Sequence, residues 1–414
     1  MKICIVHQNF PGQYKHLAPA LAERMGNEVV AIGEQDNLGR LRHPNVREVG
    51  YPTPRGASPG THPYVRNLEG AVRRGQATAR VAQGLSRDGF VPDIVCCHPA
   101  WGDGLFLRDV WPDAKLLYFH EYYYHGAGHD VNFDPEFPSS FDDVCRTRIK
   151  NANLLLAMQV ADWGITPTQW QHQALPVDIR PRTSVIFDGI DTDHVRPNPD
   201  AKLRFGSGLE LTRDDEVITY VARNLEPYRG FHIFMRALPE ILRRRPKAHV
   251  VVVGGEDVSY GRAPPGGAKS YKELYLKEVG DRLDLDRVRF VGKVPYGRFL
   301  EVLQVSSAHL YLTYPWVLSW SMLEAMSAGC AIVASRTPPV EEMITDGETG
   351  LLVDFFDPSA LAATVDRALD DAELRARLGA AARRLVVERY DLKTRCLPAQ
   401  IKLVDDVAAN GMPR

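Results

Sequence analysis

The sequence predicts an α/β protein made of two doubly wound parallel-sheet domains in succession. Short apolar runs rich in Val and Ile recur at 2–7, 28–33, 93–98 and 114–120, and again at 217–221, 249–253, 288–291, 308–314 and 331–335. Stretches with helical spacing of Leu and Ala separate most of them, which implies parallel strands joined by crossover helices. A length of 414 residues suits two such domains.

The first domain is expected over 1–190. Strand 2–7 runs into the turn Gln8-Asn9-Phe10-Pro11-Gly12, then a helix over 16–25 and a strand over 28–33. Gly12 stands where the first strand hands over to the first helix, a position that serves a ligand or a plain turn. A strand over 46–51 and a Pro/Gly/Ser loop over 52–63 precede a long helix over 64–87 carrying Arg66, Arg73, Arg74 and Arg80. Those arginines suit either an acidic acceptor or headgroup or, more simply, a solvated face. Strands over 93–98 and 114–120 flank a helix over 101–110. The aromatic, histidine-rich segment His120-Glu121-Tyr122-Tyr123-Tyr124-His125 follows, then a long loop over 126–139. Such a loop in a compact domain usually has a task. A helix over 149–161 and strands over 162–166 and 184–187 close the first sheet.

Residues 191–210, rich in Asp, Pro and Asn, read as a linker, and 211–389 as the second domain. Its helices are expected over 231–245 and 271–283, with further helices over 359–389. Residues 390–414 form a last helical stretch expected to pack back on the first domain.

Composition excludes several classes. The formal net charge of −2 argues against bulk nucleic-acid binding. Six cysteines lie mostly in apolar runs without metal-ligand spacing, and Cys96-Cys97 are adjacent, which suits a reduced, cytoplasmic setting. No run approaches the roughly 20 apolar residues of a membrane helix. A peripheral contact with the inner face of a membrane stays open, and no pattern sets the oligomeric state.

The chemistry concentrates in 308–355. A β-rich run ends at Pro315, Ser319-Trp320-Ser321 offers a helix start, and Gly329 offers a helix end before the next strand. A helix start so close to a strand end presents free N–H groups to an anion. Glu324, one turn in, is a carboxylate beside that anion site, which suits ribose hydroxyls and so a nucleoside diphosphate. Taken alone, the simpler reading is that Ser321 caps the helix and Glu324 is solvated. Arg223 and Arg229-Gly230, around the first loop of the second domain, add two guanidiniums suited to phosphate oxygens. Surface arginines partnered by Glu226 are the plain alternative, but clamp and helix together favour a diphosphate site.

These residues resemble the retaining, nucleotide-sugar-dependent glycosyltransferases of family 4, which pair two Rossmann-like domains in the GT-B arrangement facing across a cleft. The resemblance covers nearly the whole chain. It rests on Gly12 with His16, His120, Asp188-Gly189-Ile190-Asp191, Arg223 with Arg229-Gly230, and Phe290-Val291-Gly292. The sequence 319–328 and the turn Asp346-Gly347-Glu348-Thr349-Gly350 are its most specific part. The resemblance implies that Glu324 binds the ribose. It makes Ser319, Trp320 and Ser321 the diphosphate cradle, helped by Arg223 and by Arg229, which stands where lysine is usual. It also implies that Gly292, Lys293 and Val294 read the nucleobase with their main chain, that His120 contacts the donor sugar, and that the Gly12 N–H approaches the donor phosphate.

One position departs from the family. A glutamate is usual eight residues before the Glu324 equivalent, and Trp316 stands there. Tryptophan stacks on a sugar or fills a core, but accepts no hydroxyl hydrogen bonds. The expected activity is sugar transfer from a nucleoside-diphosphate sugar, UDP- or GDP-linked, to a hydroxyl acceptor, with retention. No metal or further cofactor is implied, and Asp142-Asp143 reads as a helix-start pair. The rival readings are a sugar-nucleotide 2-epimerase of the same fold and a catalytically silent binding homologue, the second kept open by Trp316.

Overall fold

The computed structural model describes residues 1–206 and 208–413. Ser207, inside the span expected as a linker, and Arg414, at the end of the expected C-terminal stretch, lie outside the described residues. The chain divides into two compact units, Met1–Gly189 with Lys393–Arg414, and Ile190–Leu392.

The first unit holds β1 (Lys2–Val6), β2 (Glu28–Glu34), β3 (Val46–Tyr51), β4 (Ile94–Cys97), β5 (Lys115–Phe119), β6 (Trp163–Thr166) and β7 (Thr183–Val185). They form one sheet in the order β3-β2-β1-β4-β5-β6-β7, and every pairing is parallel. Ile3, Cys4, Ile5 and Val6 are all fully buried, as a central strand with helices on both faces requires. Helix Leu397–Asn410 closes one face through Leu403, Val404 and Val407, which share a core with Ile3, Ile5, Phe10 and Leu117.

In the second unit, β8 (Leu203–Arg204) and β9 (Glu210–Leu211) pair antiparallel as a small hairpin. The main sheet contains β10 (Val217–Asn224), β11 (His249–Gly255), β12 (Val288–Gly292), β13 (Ala308–Tyr311), β14 (Ile332–Ser335) and β15 (Leu351–Val353). Its order is β12-β11-β10-β13-β14-β15, again all parallel. In both sheets the order reverses beside the first strand, between β1 and β4 and between β10 and β13. Ligands of doubly wound sheets bind at the carboxyl ends of the strands flanking such a switch.

Four local expectations change. The span 191–210 is not a free linker: Val195, Ala201 and Leu203 are buried, and Arg383 donates to the carbonyls of Thr192 and Val195. Those apolar side chains, spaced among the prolines, tie the segment to the second unit. The helix expected over 149–161 is present as Ala152–Val160, and a second helix that the sequence reading lacks, Phe141–Lys150, directly precedes it. Asn151 separates them, its side chain bonding both the N–H and the carbonyl of Tyr124. A capping box of Ser140 and Asp143 starts the first of the two, with the Asp142-Asp143 pair in its first turn. The helix expected over 101–110 shrinks to Leu107–Val110, since Gly102 turns left-handed at φ 104°. A helix at Tyr296–Gln304, absent from the sequence reading, follows Pro295.

Candidate active site

In the first unit the strand order places β1, β4 and β5 side by side, and each is followed at once by a histidine: His7, His98 and His120. All are buried. The His7 and His98 ring centroids lie 5.0 Å apart, and Trp101 stacks on His98 at 4.7 Å. His7 Nε2 meets Gln13 Oε1 at 2.8 Å, while Gln13 Nε2 donates to Glu121 at 3.1 Å. Glu121 also stands 3.4 Å from His98 Nε2. Burial works to raise the Glu121 carboxyl, but His98, His7 and Gln13 outweigh it and hold the group below its ordinary value. Burial and the neighbouring His98 push His7 down to about 3; burial, with Arg182 and His98, does the same for His120. Both rings are therefore neutral at pH 7, and His120 Nδ1 has no hydrogen-bond partner among the described residues. Gly12 has φ +49°, and a Cβ there would come within 2.3 Å of His7 Nε2, so only glycine lets the loop close over that ring.

In the second unit the loop after β10 and the loop after β13 converge. Glu226 is fully buried, and its carboxylate accepts the N–H groups of Ser259, Tyr260 and Gly261. It therefore anchors a neighbouring loop and does not pair a surface arginine. Arg229 is buried at the end of a 3-10 turn, with its carbonyl held by the Tyr220 hydroxyl at 2.5 Å. Gly230 follows at φ +66°, packed so closely on Leu312 that a Cβ would lie 2.3 Å from it. Arg229 Nη1 donates to Thr313 Oγ1 at 2.9 Å and to Tyr311 Oη at 3.3 Å. The same Tyr311 oxygen accepts the Ser319 N–H at 2.8 Å. One phenol thus holds the guanidinium beside the N-terminus of helix Trp320–Ser327, where the Ser319 and Ser321 hydroxyls meet at 2.9 Å. Glu324, one turn on, is 9% exposed and accepts from the Tyr296 hydroxyl at 2.7 Å.

The structure therefore brings Arg229, Ser319, Trp320, Ser321 and Glu324 to one sheet edge. Arg223 is a different case. It is exposed near the end of β10 and makes no hydrogen bond or ion pair among the described residues, so no contact joins it to Arg229. Gly292 ends β12 with φ +69°, Lys293 is exposed and ion-paired to Asp257 at 3.1 Å, and Val294 is half-buried. Trp316 is buried against Tyr228 and Tyr260, and Tyr260 also lies under the Arg229 guanidinium at 5.2 Å. Among the described residues no group of three or more His, Cys, Asp or Glu could hold a metal ion, and no helix is long and apolar enough to cross a membrane.

Sequence reasoning missed Tyr311 and Tyr296, because one sits inside a strand run and the other on the unanticipated helix. It also passed over His7 and His98. The signal for these was present: Ile-Val-His, Cys-Cys-His and Tyr-Phe-His close three apolar runs in the same way.

The fold and these edges define a protein of two Rossmann-like α/β units, the second carrying an anion-suited edge at its switch point. The model of the glycosyl transferase family 4 group matches residues 25–195, and that of glycosyl transferases group 1 matches residues 207–385. The chain belongs to the family-4-like glycosyltransferases. It is similar to D-inositol 3-phosphate glycosyltransferase of Corynebacterium efficiens, with 30% identity over 48% of this chain and 45% of that one. It is also similar to a GDP-mannose-dependent alpha-(1-6)-phosphatidylinositol monomannoside mannosyltransferase of Mycolicibacterium smegmatis, at 28% over 50% and 52%. In both matches the chain spans about half the length of the curated relative. Among solved GT-B structures, sucrose-phosphate synthase of Thermosynechococcus elongatus superposes with a TM-score of 0.75 at 18% identity over 99% of both chains. The Anabaena protein HepE in complex with UDP-glucose gives 0.69 at 19%, over 97% of this chain and 98% of that one.

Proposed function

We propose that this protein transfers a sugar from a nucleoside-diphosphate sugar to a hydroxyl acceptor, with retention of anomeric configuration and without a catalytic metal. The observation that carries the reading is the joint hold of Arg229 and the Ser319 N–H on Tyr311, one helical turn from the Glu324 carboxylate. A ribose diol displaces the Tyr296 hydroxyl from Glu324, and the diphosphate takes the Ser319–Ser321 helix start together with Arg229. Arg223, exposed near the end of β10, closes on the phosphate oxygens, and the main chain at Gly292, Lys293 and Val294 meets the base. His120 and Gly12 keep the roles that the family resemblance gives them, and Trp316 offers an aromatic face in place of the usual carboxylate.

In the reaction the bond from the anomeric carbon to the diphosphate oxygen breaks as the acceptor oxygen bonds to that carbon from the same side. The acceptor's proton goes to the departing phosphate, so no separate protein base is needed. Arg229 and the helix-start N–H groups stabilise the charge that develops on the leaving group. The similar HepE binds UDP-glucose and the similar Mycolicibacterium smegmatis mannosyltransferase depends on GDP-mannose, which supports a uridine or guanosine donor. The test is acceptor-dependent release of UDP or GDP from the corresponding hexose donors, with the product's anomeric configuration read by NMR. Turnover without an acceptor to an epimerised sugar nucleotide, or an inverted product, contradicts the proposal.

A further inference from the structure

We infer that the acceptor carries a phosphate group, held in a cationic cavity of the first unit; this rests on the sugar-transfer reading above. The cavity, about 740 Å³, lies between the loop at 54–59, the first turns of helix Arg66–Arg87, and residues 100–101, 150 and 153. Arg55, Arg66, Arg74 and Lys150 line it, and no carboxylate does. Four like charges lining one cavity repel one another, and Glu34, the carboxylate 3.7 Å from Arg74, stands outside the lining, so the cavity favours an anionic occupant.

The four cations are poorly satisfied from within the protein. Arg55 makes no hydrogen bond or ion pair among the described residues, and Arg66 only a 3.4 Å contact from Nε to the Thr61 carbonyl. Lys150 sits 3.8 Å over the Tyr124 ring with no ion pair among the described residues, and burial lowers its pKa against the pull of Asp130. Arg74 stands 3.7 Å from Glu34 and donates to the Trp101 carbonyl at 3.3 Å, but its buried Nε has no hydrogen-bond partner among the described residues. Arg66, Gly70 and Arg74 recur every fourth residue, on one helix face. Nothing lies within 4 Å of where a Gly70 Cβ would be.

The walls are built. Glu69 accepts from the Ser58 N–H and hydroxyl, the Thr61 hydroxyl and Arg73, fixing the loop to the helix. Those bonds hold its carboxyl down at about 2. Trp101 is both a cavity wall and the ring stacked on His98, so the cavity adjoins the edge that carries His7, His98 and Glu121. A phosphate among these cations, gripped two-pronged by a guanidinium, anchors an acceptor whose free hydroxyl points along that edge.

The test is calorimetric titration of the full chain with glycerol 3-phosphate and with glycerol, alongside UDP and GDP as controls. Glycerol 3-phosphate should bind and weaken with added salt, while glycerol should not bind. Arg55→Ala with Lys150→Met should cost about tenfold or more in glycerol 3-phosphate affinity. Gly70→Leu, which favours the helix and fills the open space, should do the same. Nucleotide affinity should stay unchanged in each variant. Vesicles of phosphatidylcholine with and without phosphatidic acid separate the sources: capture that requires phosphatidic acid and these residues assigns a lipid headgroup, and its absence a soluble phosphate ester. Equal binding of glycerol and glycerol 3-phosphate, or wild-type affinity in the variants, overturns the inference. A wild-type chain that takes glycerol 3-phosphate but neither nucleotide sinks the sugar-transfer reading and leaves the anion site standing.

Discussion

The two sheets share one strand order and place unlike chemistry at the same location. At the first unit's switch, β1 and β4 end in His7 and His98, buried rings linked through Gln13 and Glu121. At the second unit's switch, β10 and β13 lead into Arg229 and a helix start, fastened by Tyr311. The buried His7 and His120 rings give up their charge and stand beside the Glu121 carboxylate, whereas the buried Arg229 guanidinium keeps its charge, so one edge is a hydrogen-bonding surface without a fixed cation and the other a fixed positive one. Topology decides where a ligand can sit, and the residues just past each strand decide which ligand.

Removing the positive charge should break this comparison most completely. Arg229→Ala is expected to lose about 2.7–4 kcal/mol of transition-state stabilisation, a rate drop of roughly a hundredfold to a thousandfold. Arg229→Lys should recover part of it. Steady-state kinetics beside an unfolding curve checks whether turnover falls further than stability.

The Glu324–Tyr296 pair sharpens the second edge and has a sign of its own. Glu324→Ala should weaken UDP or GDP by about tenfold or more, through loss of hydrogen bonds to a charged acceptor. Tyr296→Phe should tighten the same nucleotide a few-fold, because the competing phenol is gone. Calorimetry on both variants decides between a ribose site and a merely structural contact.

The first edge is tested by pH. His7 and His120 titrate near 3 in the folded protein and near 6.5 when unfolded, so the unfolded chain binds more protons between those values. Their contribution is complete above about 6.5 and is lost as pH falls toward 3. His120→Gln should flatten that acid limb in denaturant titrations run across this window.

Asp103 gives the smallest effect and the opposite sign. It is buried beneath the Tyr51 hydroxyl, and burial raises its carboxyl to about 6 from 3.8. The folded state therefore holds the extra proton, and stability falls as pH rises from about 4 through 6. Asp103→Asn should remove this slope and keep the acceptor for Tyr51.

Much of the architecture was legible because its strands are apolar runs buried on both faces, and Val, Ile and Cys side chains announce that directly. The span 191–210 misled because Asp and Pro dominate its composition, while the three side chains that dock it, Val195, Ala201 and Leu203, are scattered. The break at Asn151 was invisible because it depends on a backbone bond to Tyr124, far away in sequence. At the second edge, Glu324, Arg229 and the Ser319–Ser321 helix start could be read from helix-start chemistry. Tyr311 could not, since its strand position says only that the ring is buried, not that its oxygen faces two donors. Arg223 and Arg229 flank one loop at the end of β10, but the sequence does not tell that the first is exposed and the second buried past a turn.

The most direct measurement is titration of the full chain with UDP and with GDP, run on wild type, Arg229→Ala and Glu324→Ala. The account predicts that at least one nucleotide binds the wild type and that each substitution weakens it about tenfold or more. Absence of binding by both nucleotides, or equal affinity in all the proteins, would contradict it.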